Sequence, residues 1–219
     1  MQLEPKQAVI SRAKPLEQLK ASFIWAFGFL PIRSVLVGSA LVCWVWGFYL
    51  ALGPIFAKQV LHGGPNTFGF LMTASGLGTL AGGIYLSRRN SVLGLERVLA
   101  FGTALMGVSL MVFALSHVLW LSLLSLVVAG FGFIMQIISG RTVVQLLVSD
   151  ENRGQITSLY VRISTGAVPI GNLVAGALGS NIGAVNTVIF GASICIVGSV
   201  LFTRQFSAFH ESFSSKTML

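Results

Sequence analysis

PNTFGFLMTASGLGTLAGGIYLSRRN, residues 65–90, is an apolar stretch that carries five glycines and then meets two arginines. In a water-soluble helix each of those glycines costs about 1 kcal/mol relative to alanine. In a bilayer they have a use, because small residues let neighbouring helix backbones approach closely. Ala74, Gly78 and Gly82 recur every fourth residue, and Gly69, Gly76 and Gly83 every seventh. Two stripes of small residues therefore run along one helix. The stretch predicts a membrane-spanning helix that packs on more than one side. Gly76, Gly78, Gly82 and Gly83 are its packing or gating positions, and Arg88 anchors its charged end.

The rest of the composition fits that setting. Of 219 residues, 54% are hydrophobic and 9% charged, with a formal net charge of +8, which points to a polytopic membrane protein and away from a soluble domain. At about 20 residues per crossing, the chain has room for six spanning helices. Lys and Arg collect on the cytoplasmic side of such proteins, so the positive balance records topology and not a nucleic-acid footprint. Cys43 and Cys195 lie in separate apolar runs, which predicts buried free thiols.

Outward from the opening stretch, the chain divides into an N-terminal segment (1–33), a helical bundle (34–203) and a polar tail (204–219). Leu16, Leu19, Phe23, Ala26, Phe27 and Leu30 follow helical spacing, predicting an amphipathic helix on the membrane surface. Pro31 and Arg33 are expected to break it before the first span, at about 34–57. The third span, at about 98–116, has a middle without strongly polar side chains and is expected to face lipid. The fourth, at about 118–147, carries Gln136 and Arg141. The fifth, at about 155–178, carries Arg162, Asn172 and a small-residue stripe at Ala167, Gly171, Ala175 and Gly179, and Pro169 is expected to kink it. The sixth runs from about 184 to 203. Only Lys58 falls on the outer side, so both termini are predicted to be cytoplasmic.

The fold class read from the residues is an all-α membrane protein, six transmembrane helices in one bundle behind an interfacial helix. Intramembrane charge and polarity pick out its candidate binding residues. Arg141 and Arg162 suit an anionic ligand, although each lies near enough to a helix end to snorkel out or to pair with Asp150 or Glu151. Gln136 needs either a neighbouring helix or a wet cavity. Trp44 and Tyr49 offer aromatic faces to a flat substrate, or serve as packing and interfacial anchors. Ser75 followed by Gly76 invites comparison with intramembrane serine proteases, but His62, His117 and His210 fall in loops or the tail, so no base reaches it. Ligand spacing for a metal is also lacking. The residues point to no enzyme, cofactor or metal site.

LPIRSVLVG (30–38), LGPIFAKQVL (52–61), FGFLMTASGLGTLAGG (68–83), VVQLLVSDENRGQITSLY (143–160) and VPIGNLVAGALG (168–179) come in an order that resembles the C-terminal six-helix half of major facilitator superfamily transporters. The similarity is to the bacterial exporters that include the enterobactin efflux protein. Gly83 and Arg88 match the superfamily's loop signature, whereas Ser87 and Asn90 stand where it has an aspartate and a second glycine. The resemblance implies efflux of a small amphipathic or anionic compound across the bacterial inner membrane by alternating access. It places the first, second, fourth and fifth helices at the cavity or the inter-bundle contact, with the third and sixth outside. A complete transporter of this kind has a second six-helix bundle, so a separate N-terminal half or a second copy of this chain is the expected partner. The other reading is a non-transporting membrane fragment that only assembles with, or stabilises, such a bundle.

Overall fold

A computed structural model describes residues 28–89, 94–148 and 152–216. The expected surface helix lies almost wholly outside them, as do Asn90, Asp150 and Glu151. Six helices follow in chain order. They are α1 (Leu30–Ile55, continued by a π-helical turn Phe56–Val60), α2 (Pro65–Ser87), α3 (Leu95–Leu115), α4 (Leu119–Leu147), α5 (Arg153–Ile182) and α6 (Ala184–Lys216). All six are long and apolar enough to cross a membrane, α6 over Ala184–Thr203.

Local chemistry explains the ends. Pro31 and Pro65 sit in the first turns of α1 and α2, where a missing N–H removes no helical hydrogen bond. Pro31 thus belongs to the start of α1, and the span begins at Leu30, ahead of the expected residue 34, after an extended Phe29. Gly183, at φ 85°, makes the reversal between α5 and α6, a conformation that a Cβ would strain.

Contacts along the helices fix their directions. Ser39 meets Tyr160 and Leu52 meets Gly179, so α1 and α5 run parallel. Ala100 meets Ser199 while Gly107 meets Ala192, so α3 and α6 run antiparallel. The odd-numbered helices thus run one way and the even-numbered the other. One end of the bundle gathers Arg33, Arg88, Arg97 and Arg153, and is called the basic end below.

Glycines set the close approaches. A Cβ on Gly78 would overlap the Val127 carbonyl of α4, and one on Gly171 the Trp44 carbonyl of α1. On α3, a Cβ at Gly102 would lie 2.8 Å from the Gly132 oxygen of α4. Inside, Tyr49, Phe56 and Phe113 pack ring against ring, with centroids 4.7 and 5.8 Å apart across the two pairs that share Phe113.

Burial is uneven, and this corrects one expectation. In the apolar window of α3, 61% is buried, matching α1, against 28% for α2 and 22% for α5. The third helix faces lipid on one side only, through Phe101, Val108, Val112 and Leu115. Its other side, with Gly102, Met106, Gly107 and Leu110, is wedged between α4 and α6. An apolar surface suits lipid and protein equally, so hydropathy does not separate them. Glycine placement does.

Candidate functional site

The polar positions singled out from the sequence fall into two arrangements, one internal and one open. The internal one joins three helices. Gln136 on α4 is fully buried and its Nε2 donates to Ser39 Oγ on α1 at 3.1 Å. Ser39 in turn donates to the Tyr160 hydroxyl on α5 at 2.9 Å, and that hydroxyl donates to the Ile137 carbonyl at 2.9 Å. Gly140 makes room for the junction, since a Cβ there would stand 2.7 Å from Tyr160 Oη and 3.2 Å from Ser39 Oγ. Gln136 is thus bonded to a neighbouring helix through Nε2, while its Oε1 is buried without a hydrogen-bond partner.

The open arrangement is a groove of about 670 Å³ between α4 and α5 toward the basic end, lined by Arg141, Gln145, Arg153, Thr157, Ser158 and Arg162 among others. Helical spacing builds it. Arg141 and Gln145 lie one turn apart on α4, as do Ser158 and Arg162 on α5, so each pair shares a face. Arg141 is about 9 Å along α4 from its end, and Arg162 about 14 Å along α5 from its start, at 1.5 Å per residue. Arg153 Nε donates to the Gln145 carbonyl at 3.1 Å and ties the two helix ends together. Thr157 Oγ1 is buried without a hydrogen-bond partner. Exposed guanidinium groups on one open groove present fork-shaped donors that match carboxylate, phosphate or paired phenolate oxygens.

The fold brings Arg141 and Arg162 to one groove and adds Arg153, the first residue of α5. Ser39 and Tyr160 were also missed, because a serine or tyrosine within an apolar helix carries no distinctive pattern.

The aromatic candidates lie elsewhere, and α1 contributes nothing to the groove. Tyr49 is buried and donates to the Leu71 carbonyl at 3.0 Å, with Ser75 Oγ at 3.4 Å, so it bridges α1 and α2. Half-buried Trp44 stands edge-on to Phe48 with centroids 4.6 Å apart, beside the crossing at Gly171.

The two stripes of α2 separate. Gly78 and Gly82 press on α4, whereas Gly69, Gly76 and Gly83 have no atom within reach of an added Cβ. Gly166 and Gly176 on α5 are equally open, against Gly171 packed on α1. Pro169 lies inside α5 with its ring exposed, and the helix continues through it. Arg88 caps α2, donating its N–H to the Ile84 carbonyl at 3.3 Å.

Six apolar helices that alternate in direction, cross-linked by a buried polar junction and bearing cations within their apolar length, define a polytopic membrane protein. The chain belongs to the family of transmembrane secretion effectors, whose pattern it matches over residues 3–217. That family lies within the major facilitator superfamily and groups transporters, not enzymes. Among curated proteins no significant match is found.

Proposed function

We propose that this chain is one six-helix bundle of an exporter that moves a small amphipathic or anionic compound outward by alternating access. A second bundle, encoded separately or supplied by another copy, is proposed to dock on the flank of α2 and α5. The observation that carries this reading is the groove in which Arg141, Arg153 and Arg162 converge. Three cations there attract an anion before it enters the space between bundles. Open glycines at Gly69, Gly76, Gly83, Gly166 and Gly176 support the docking flank, since they leave backbone accessible on the two least buried helices. The basic end is assigned to the cytoplasm of a bacterial inner membrane, with both termini there. Glu96, in the first turn of α3, is the acidic residue nearest the apolar zone among the described spans, so if export is proton-coupled the coupling carboxylate is assigned to the partner bundle.

Transport in proteoliposomes tests the proposal. Anion efflux is expected when this chain is reconstituted with an N-terminal six-helix partner, and Arg141→Gln and Arg162→Gln should each lower it by about ten- to a hundredfold, from the ~1.5–3 kcal/mol carried by a hydrogen bond to a charged group. Neutral substrates should be spared. Equal loss for neutral and anionic substrates removes the arginines from the binding role. The same flank favours a second reading, a fragment that only stabilises its partner. Partner-bundle flux that is identical with and without the groove arginines supports that one.

A further inference from the structure

A second recess lies away from the groove and from the open flank. α1, α3 and α6 enclose a crevice of about 240 Å³ near the basic end, to which α2, α4 and α5 contribute nothing. Arg33, Val37 and Leu41 recur every fourth residue along its α1 wall, so a cation and an apolar slot stand in one line. That line is about 12 Å long at 1.5 Å per residue, most of the roughly 15 Å of hydrocarbon in one leaflet. Leu201 and Phe202 close the α6 side.

Two glycines keep the slot open. A Cβ at Gly38 would find only Phe202 Cδ2, at 4.0 Å, and one at Gly198 only the Leu41 methyls, at 3.4 and 3.7 Å. The hydroxyls at the rim turn inward on their own helices. Ser34 Oγ donates to the Leu30 carbonyl at 3.0 Å, and Thr103 Oγ1 to the Leu99 carbonyl at 2.9 Å. The interior thus presents carbon, while exposed Arg33 offers its guanidinium at the mouth.

We propose that this crevice is a site for an anionic phospholipid, with one acyl chain in the slot and the phosphate on Arg33. Charge complementarity selects the headgroup, since a guanidinium pairs with phosphate in fork geometry. Size selects an acyl chain over a helix, because a helix with its side chains is about 10 Å across and does not enter so small a recess.

The test uses the full chain in mixed phosphatidylethanolamine–phosphatidylglycerol bilayers, with lipid retention read by native mass spectrometry. Wild type should retain phosphatidylglycerol in preference to phosphatidylethanolamine. Arg33→Gln should reduce that preference about fivefold, the equivalent of one basic residue at an anionic surface. Gly198→Leu, which fills the slot, should abolish retention of both lipids. A fluorophore on Val37→Cys, at an exposed position, covers the case in which Gly198→Leu does not fold: brominated phosphatidylglycerol should quench it more than brominated phosphatidylethanolamine. Equal quenching by the two lipids, or preference unchanged by Arg33→Gln, overturns the proposal. So does cross-linking of Val37→Cys to residues 1–27, which would show that the chain itself fills the slot.

Discussion

At the residue scale, the buried junction makes the sharpest prediction. Tyr160→Phe keeps the ring and deletes the hydroxyl that accepts from Ser39 and donates to Ile137. Interhelical hydrogen bonds in membrane proteins average about 0.6 kcal/mol and reach about 1.7, so a loss of about 1 kcal/mol is expected in denaturant unfolding of the purified protein. Stability equal to wild type would mean that the three helices are not joined there. Gln136 was recognisable from sequence as a polar side chain needing a partner, but the identity of that partner was not. That partner, Ser39, lies 97 positions away, and no spacing rule reaches across such a separation.

At the element scale, α2 carries two stripes that read alike and behave differently. Gly78→Ala pushes a methyl group into the Val127 carbonyl, part of a backbone that has no rotamer to yield, so overpacking should cost about 1–3 kcal/mol. Gly76→Ala meets open space and should leave the isolated bundle's stability within about 0.5 kcal/mol. Comparing the two melting curves checks the pair, and equal destabilisation would contradict the packing described. In α5, Pro169 has no N–H for the Thr165 carbonyl, so the ladder is one bond short in mid-helix. Pro169→Ala should slow hydrogen exchange around residues 165–173 and, if α5 bends during the transport cycle, lower efflux without lowering stability. Faster exchange would show that the proline stiffens the helix.

On the scale of the whole molecule, the alternating helix directions place His117 and the Gly183 turn at one end and Arg97 at the other. With the basic end in the cytoplasm, a cysteine at His117 should react with an impermeant maleimide in intact cells, and one at Arg97 only after permeabilisation. The reverse pattern inverts the topology. The open flank gives a further outcome. Gly76→Trp should leave the bundle folded, since nothing stands near that position, yet weaken association with a second bundle, read by energy transfer between labelled halves in vesicles. Unchanged association moves the docking face elsewhere.

Class, helix number and approximate span limits were legible in the residues, because apolar runs long enough to cross hydrocarbon, ended by arginine, proline or glycine, admit few other structures in a bilayer. The convergence of Arg141 with Arg162 was half legible, from their positions near the ends of helices joined by one short loop. Which glycines are buried was not, nor which face of α3 meets lipid, nor that Arg153 joins the groove. Those depend on how helices distant in sequence cross, and in a membrane hydrophobicity does not choose between a lipid neighbour and a protein one. Close packing at Gly78, Gly102 and Gly171 makes that choice, and it exists only once the bundle has assembled.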